Sequence, residues 1–349
     1  MTIRRDSAKR PSTVNLEELD FPYPEPLVAT ERQPKSRVMW VNADSDPVEL
    51  PGTRAVVDLF EKGDCLVIND TRVLRRRVFT ESGLEILFLR PESETKWQVL
   101  CPSSRWKQGQ KQILPQGVQL EIVARGIPQT VEADQPLTEE YFERVGEMPL
   151  PPYIQKARGE RHNREADRNA YQTAWAKNDG SLAAPTASLH FSQEDLAALE
   201  AKGVNVVRLT LHVGLGTFLP INVSNLDEHT MHAEYVEIPQ ATWSAVENCE
   251  GRVWALGTTV TRSLESAAHG KLARRDDGGF FGETDLFIRP GFEFRAVDCI
   301  LTNFHQPRST LIALVAAFAG LERVKKSYSW AIEKGFRLFS YGDLSVWTK

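Results

Sequence analysis

The chain has 349 residues, enough for two domains and a sizeable core. Its 42 Lys and Arg stand against 47 Asp and Glu, a formal net charge of -5, which excludes a globally basic nucleic-acid binder and confines any such site to a local patch. The four cysteines, Cys65, Cys101, Cys249 and Cys299, lie far apart without a C-x-x-C pair, which argues against a zinc ribbon or disulfide framework and for reduced thiols in a cytosol.

Residues 1–15 read as a frayed tail without the apolar run of a signal peptide. No apolar stretch is long enough to span a bilayer, so a soluble cytoplasmic protein is expected. Pro22, Pro24 and Pro26 favour an extended segment that Phe21 and Tyr23 anchor. Arg32, Lys35 and Arg37 read as a solvated basic face. The spacing of Val56, Leu59 and Phe60 predicts a helix over 50–62, stopped by Gly63. Cys65 to Ile68 then reads as a buried strand that delivers Asn69, Asp70, Thr71 and Arg72 at its end. That run is either an Asx turn or a polar ligand site with Arg72 contacting an anion or a base. Arg75, Arg76 and Arg77 add positive charge close by.

Over 78–135 the pattern changes to short alternating strands, at 84–89, 97–101, 112–114 and 118–124, separated by Gly and Pro turns. Strands without helices suggest a small β-barrel. The expected architecture is an α/β main domain, a mixed sheet with flanking helices over 1–63 and 149–349, with an inserted all-β domain, a small β-barrel, over 64–148. Arg105, Trp106 and Lys107 form a basic-aromatic tip suited to a nucleic-acid backbone and equally common on plain surfaces. A proline-stiffened return, 148–154, leads to Lys156, Arg158, Arg161, Arg164 and Arg168, the best phosphate-tracking candidate despite interleaved acids. Tyr171 to Lys177 reads as a short helix.

The densest polar chemistry lies in 182–235. Pro185, Thr186 and His190 precede a helix with Ser192 as N-cap, Asp195 as capping-box partner and Gly203 as stop. Val204 to Val213 reads as a strand carrying His212 at its end. It runs into Gly214, Gly216, Thr217 and Phe218, where two glycines allow close backbone approach to a ligand. His229, His232 and Glu234 follow on a loop. Any one of these histidines alone is more often structural, and Gly-x-Gly-Thr lacks the third glycine of a dinucleotide fingerprint; the density of four His and two glycine turns favours a site. Further on, a strand at 252–256 meets Gly257, Thr258 and Thr259, then a helix over 260–268 with Arg262 and Glu265. Such a turn offers free N–H groups to a carboxylate or phosphate. The unit recurs at Ile300-Leu301, with Asn303 and His305 at the turn and Ser309 or Thr310 capping a helix over 311–320. Residues 336–343, with Tyr341 and Asp343, read as one more strand end.

Taken together, the motifs resemble the S-adenosylmethionine:tRNA ribosyltransferase-isomerase family of queuosine biosynthesis. The segments that carry the resemblance, from about residue 16 onward, are Asp20-Phe21-x-Tyr23, Asn69-Asp70-Thr71-Arg72-Val73, Pro149 to Ile154, and Ala184-Pro185-Thr186-Ala187-x-Leu189-His190-Phe191. They continue with His212 to Phe218, Met231-His232-x-Glu234, Gly257-Thr258-Thr259, Thr302 to His305 and Phe339 to Asp343. Departures from the family's usual pattern fall at Ser188, Val260, Thr261, Arg75, Arg76, Gln306 and Arg308, and bear on substrate geometry rather than reaction class.

The resemblance implies transfer and isomerisation of the ribosyl part of S-adenosylmethionine onto 7-aminomethyl-7-deazaguanine at the wobble position of a tRNA. The products are epoxyqueuosine-tRNA, adenine and methionine. S-adenosylmethionine is then a substrate; no bound cofactor and no metal are expected, and the chain acts as a monomer. The chemistry requires a base for a C5′ proton acidified by the sulfonium, an acid for the departing adenine, and a proton acceptor for the attacking amine. Histidine suits such steps because its reference pKa lies near working pH. His190, His212, His232 and His305 are the acid–base candidates, with Asp70 and Glu234 orienting an imidazole or holding ribose hydroxyls. Asn69, Thr71, Pro185, Thr186, Gly214, Gly216, Thr217, Phe218, Gly257, Thr258, Thr259, Asn303, Tyr341 and Asp343 are substrate-binding candidates. Arg72 and Arg262 are expected at phosphate or carboxylate, and Arg105, Lys107, Lys156, Arg158, Arg161 and Arg164 at RNA. Two rivals stand beside this: a metal-dependent hydrolase built on His229, His232 and Glu234, and a non-catalytic RNA-binding protein built on the barrel.

Overall fold

The computed structural model describes residues 14–43, 45–102, 104–107, 109–214, 216, 221 and 223–349. Of the expected frayed tail, 1–13 lie outside the described residues. Val14 and Asn15 are anchored instead: Val14 O accepts from Leu226 N at 3.4 Å, and Asn15 bridges to Asn225.

The strands in chain order begin with β1 (Val38–Val41), β2 (Val48–Leu50), β3 (Cys65–Asn69) and β4 (Thr71–Val73). Next come β5 (Arg77–Phe79), β6 (Glu85–Pro91), β7 (Lys96–Leu100), β8 (Gln112–Ile113), β9 (Gln119–Ala124) and β10 (Gln129–Ala133). The rest are β11 (Asn178–Ser181), β12 (Asn205–His212), β13 (Glu234–Ile238), β14 (Val253–Leu256), β15 (Ala273–Arg274), β16 (Phe280–Thr284), β17 (Cys299–Asn303) and β18 (Leu344–Thr348).

Ten of them form one mixed sheet in the order β15-β16-β13-β12-β3-β14-β17-β18-β1-β2. Its centre, β12-β3-β14-β17, is parallel throughout. A strand buried on both faces needs apolar residues at every position, and β3 shows it: Leu66 and Ile68 enter one core with Trp254, Leu256 and Leu301, while Cys65 and Val67 enter the other with Ala255 and Ile300. Helices Thr53–Asp58 and Gln193–Ala201 supply residues to the first core, and Gln240–Glu247, Thr258–Ala268, Thr310–Ala319 and Leu321–Glu333 to the second.

Strands β5 to β10 make a separate antiparallel sheet in the order β5-β6-β7-β10-β9-β8. It curls into a half-barrel until Glu81 N, just after β5, donates to Ile113 O of β8 at 2.8 Å. Phe88, Trp97, Trp106 and Phe142 fill its own core. The chain enters and leaves it side by side, with Arg77 and Glu147 exchanging backbone hydrogen bonds of 3.3 and 2.7 Å. At that neck a Cβ on Gly146 would lie 2.0 Å from Arg75 O, so no larger residue fits.

Several expectations need correction. Beside the expected boundary at 64, β3 sits in the middle of the large sheet and the curled sheet begins at Arg77. The expected helix over 171–177 is absent: the helix is Asp167–Ala170, and 178–181 is β11, paired with β4. The expected strand end at 336–343 is a loop that leads into β18. The helix expected over 50–62 spans only Thr53–Asp58, since Leu50 closes β2. Ser192 and Asp195 do form the expected reciprocal cap, with Asp195 N donating to Ser192 Oγ at 3.2 Å and Ser192 N to Asp195 Oδ2 at 2.9 Å. Ser309 caps the helix at Thr310.

Candidate active site at the strand ends

Four neighbouring parallel strands end side by side: β12 in His212, β3 in Asn69, β14 just before Gly257, and β17 in Asn303. The carboxyl ends of parallel strands are where α/β sheets bind ligands, because the loops leaving them are free to carry polar groups. Asn69, His212, Gly257 and Asn303 from the polar turns singled out in the sequence lie at this edge. They are organised there as three hydrogen-bonded groups.

The first group surrounds His212. Its Nδ1 is hydrogen-bonded to Thr71 Oγ1 at 2.8 Å. Asn69 is fully buried and works as a clamp: Oδ1 accepts from Leu211 N and Thr71 N, both at 3.1 Å, and Nδ2 donates to Leu211 O at 3.0 Å. Asp70 accepts from Thr210 Oγ1 at 2.7 Å and Asn178 Nδ2 at 3.0 Å. Asn69 and Asp70 thus fix the ends of β3 and β12 rather than face outward. Arg72 is exposed, beside Asp179 at 3.7 Å. His212 is half-buried, and burial pulls its pKa below the ordinary value against the opposing pull of Asp70 and Asp179. Gly180 lies over its ring: a Cβ there would approach Cε1, Nδ1 and Nε2 to 2.8 Å.

The second group is Glu234, Arg262 and Gly214. Glu234 and Arg262 form an ion pair at 2.7 Å with side chains 6% and 11% exposed, and Gly214 N donates to Glu234 Oε1 at 3.0 Å. Glu234 therefore serves Arg262 and the glycine turn. Gly216 lies against His232, 3.2 Å from a Cβ placed on it to the His232 Cβ, and His232 is exposed. Thr217 and Phe218 lie outside the described residues.

The third group gathers at the end of β17. His190, on the short 3-10 turn Thr186–His190 behind Pro185, is held at both ring nitrogens: Ser36 Oγ at 2.6 Å on Nδ1 and Asn303 Nδ2 at 2.9 Å on Nε2. His305 is buried, with Nε2 on Thr302 Oγ1 at 2.8 Å. Burial lowers the pKa of each to about 3, with Arg32 and Arg337 adding to the effect at His190. Asp343 is fully buried and accepts from Arg37 N at 3.0 Å and Arg337 N at 2.8 Å, which makes it the clamp of the 337–343 loop. Tyr341 is buried, and burial raises its pKa. Between the first and third groups, helix Thr258–Ala268 begins at Gly257 with no side-chain cap, so its first N–H groups point into the edge. Thr259 Oγ1 accepts from Asn69 Nδ2 at 3.4 Å.

The expected RNA contacts divide. Arg158 is not available: its side chain is 3% exposed, paired with Asp167 at 2.6 Å and bonded to Thr30 O. Arg164 is paired with Glu160 and Glu31. Lys156 and Arg161 are exposed, with Glu25 at 3.7 Å and Glu85 at 4.0 Å as partners. Arg105 and Lys107 are exposed, but Trp106 between them is fully buried, donating its Nε1 to Gln110 O at 2.6 Å, so the tip is basic without being aromatic. Arg76 and Arg77 are buried and paired with Glu139 and Glu147. Among the described residues no three His, Cys, Asp or Glu side chains converge as a metal cage.

Sequence reasoning missed Ser36, Asn178, Gly180 and Thr210, and gave Thr302 no role of its own. Asn178-Asp179-Gly180 reads as a turn, and only the pairing of β11 with β4 shows it as a wall of the site.

The family model for queuosine biosynthesis proteins matches residues 16–346. The chain belongs to that family. Among similar members of the queuosine biosynthesis family is the S-adenosylmethionine:tRNA ribosyltransferase-isomerase of Geobacter metallireducens, 43% identical over 95% of this chain and 98% of that protein. The protein of the same name from Geobacter sulfurreducens is 44% identical over 93% and 97%, and that of Pelodictyon phaeoclathratiforme 42% over 88% and 91%. The crystal structure of an S-adenosylmethionine tRNA ribosyltransferase from Thermotoga maritima superposes with a TM-score of 0.53 at 27% identity, covering 95% of this chain and 99% of that one.

Proposed function

We propose that this member of the queuosine biosynthesis family is an S-adenosylmethionine:tRNA ribosyltransferase-isomerase whose acid–base residue at the reacting atoms is His212. It takes the ribosyl part of S-adenosylmethionine onto 7-aminomethyl-7-deazaguanine in the wobble position of tRNA. The observation that carries the residue assignment is the contrast in engagement. His190 is bonded at both ring nitrogens and His305 is buried, with the pKa of each lowered to about 3, while His212 is half-buried, with only Nδ1 bonded among the described residues. Thr71 Oγ1 can serve either tautomer. As acceptor from Nδ1–H it leaves Nε2 a base for the C5′ proton; as donor to Nδ1 it leaves Nε2–H a hydrogen-bond donor. A pKa held below the ordinary value keeps the ring neutral at neutral pH, which a base requires. The uncapped start of helix Thr258–Ala268 suits the methionyl carboxylate, and exposed Arg72, Arg161, Lys156, Arg105 and Lys107 suit the RNA backbone.

The curled sheet, with its own core and paired entry and exit at Arg77 and Glu147, reads as an inserted domain that presents part of that RNA surface. The enzyme acts as a cytoplasmic monomer in this reading, which sizing in solution with and without tRNA tests; no helix among the described residues is long and apolar enough to cross a membrane. The metal-hydrolase alternative is disfavoured by Glu234, whose carboxylate is committed to Arg262 and Gly214 N. The deciding experiment incubates the protein with S-adenosylmethionine and tRNA bearing or lacking the 7-aminomethyl-7-deazaguanine, and follows free adenine. Release only with the modified tRNA is expected; equal release with both, or none with either, sinks the proposal.

A further inference from the structure

Tyr235 is a large aromatic left facing solvent in β13, although its neighbours Glu234 and Val236 are buried. The antiparallel β12–β13 ladder places it directly opposite His212. The two rings lie within 14° of parallel, with centroids 6.3 Å apart. Aromatic rings attract over about 4.5–7 Å, so this pair sits near the outer end of that range and His212 covers little of the tyrosine. The Tyr235 residue remains 39% exposed. One face of His212 is closed by the main chain of Gly180 in β11. On the sheet face shared with Tyr235, β16 presents Glu283 opposite it and the exposed Phe281 opposite Glu237. Leu211, Val236, Ile238 and Phe280 of the same strands turn to the opposite face and the core.

We propose that Tyr235 is the base-stacking residue of this site: its ring receives a purine-like base beside His212. The inference rests on the reaction class above, which brings two such bases to one place, the adenine of the donor and the extruded base of the tRNA. Both are planar heteroaromatics and stack alike. A base must leave its helical stack for chemistry on its substituent, and an aromatic side chain replaces the lost stacking. Such a contact contributes about 1–3 kcal/mol per base. It also brings the base's edge within reach of His212.

Steady-state adenine release is measured with each substrate varied in turn, for the wild type, Tyr235→Phe, Tyr235→Leu and Tyr235→Ala, with circular dichroism and melting to confirm the fold. Loss of about 1–3 kcal/mol of stacking predicts a KM raised roughly 5- to 150-fold for one substrate in Tyr235→Ala, while Tyr235→Phe keeps it. Tyr235→Leu, which keeps apolar bulk without a π-face, follows Ala. A raised KM for S-adenosylmethionine alone assigns the adenine; a raised KM for tRNA alone assigns the RNA base. Unchanged KM for both in folded Tyr235→Ala overturns the stacking role, as does a loss in Tyr235→Phe equal to that in Ala, which would put the role on the hydroxyl. A wild type that releases no adenine overturns the reaction class as well, so the two failures are told apart.

Discussion

Two histidine-bearing strand ends face the same edge of one sheet and are built to opposite specifications. At the end of β17, His190 is bonded to Ser36 and Asn303 at its two ring nitrogens, and buried His305 is bonded to Thr302. At the end of β12, half-buried His212 is bonded at one nitrogen among the described residues and closed on one face by Gly180. A buried imidazole that must stay neutral cannot take up and release a proton at working pH without a large desolvation cost. It can orient Asn303 and the 337–343 loop, which supports the site without touching the chemistry. The difference teaches that motif membership and acid–base competence are separate properties: all three histidines sit in family-like segments, and in the reading proposed here the pKa values lowered to about 3 set His190 and His305 apart from His212.

The strongest way to break the comparison is to exchange the outcomes. His212→Asn should lower the rate constant for adenine release by about 10²-fold or more, the usual worth of a positioned acid or base. Its melting temperature should stay close to wild type, because the ring is half-exposed. His305→Asn should do the reverse and lower stability first. A folded His212→Asn enzyme of near-native rate would place the chemistry elsewhere. On stability rather than rate, the counterpart is Glu234→Ala, which leaves Arg262 buried with its charge uncompensated. Removing one partner of such a pair costs about 3–5 kcal/mol, read as a lower urea midpoint. Glu234→Gln, which still accepts from Arg262, should recover part of it. A smaller and sharper test is Gly180→Ala. The new Cβ meets the His212 ring at 2.8 Å and must displace it, so turnover should fall about tenfold, a barrier change of about 1.4 kcal/mol. If turnover is kept, the His212 ring position does not matter.

How much of this was legible in the sequence follows the range of the forces involved. The capping box at Ser192 and Asp195, the strand ends at 69, 212 and 303, and the change to short strands after 78 are local patterns, and each was readable. Burial of Arg76, Arg77, Arg158 and Trp106 was not. Their partners Glu139, Glu147 and Asp167, and the core around Phe88 and Trp97, are brought in by tertiary packing that composition does not encode. The apparent basic track over 156–168 is thinned for the same reason: acids nearby in sequence and others far away pair with Arg158 and Arg164, while Lys156 and Arg161 stay exposed. β11 was invisible because Asn-Asp-Gly has turn chemistry, and its strand state depends on β4.

The mildest test uses pH, and its sign follows from the lowered pKa values. In the unfolded chain an imidazole titrates near its ordinary value of 6.5; in the folded protein burial lowers the pKa of His190 and His305 to about 3. Above pH 6.5 both states are neutral, and the stability that goes with neutral buried rings is fully present. As pH falls below 6.5 the unfolded state takes up protons that the folded state refuses, so stability drops, by up to about 1.4 kcal/mol per pH unit for each ring, until the folded pKa is reached. The window from pH 6.5 to 5 lies above most of the carboxylate range, which keeps the slope assignable. Urea midpoints at half-unit steps in that window should decline for wild type and decline less steeply for His305→Asn. His212→Asn should change the slope least, because its ring is only half-buried and its pKa is displaced less far. Parallel slopes for all three proteins would mean that the β17 and β12 histidines share one environment, and the distinction between a supporting pair and a reacting ring would have no thermodynamic basis.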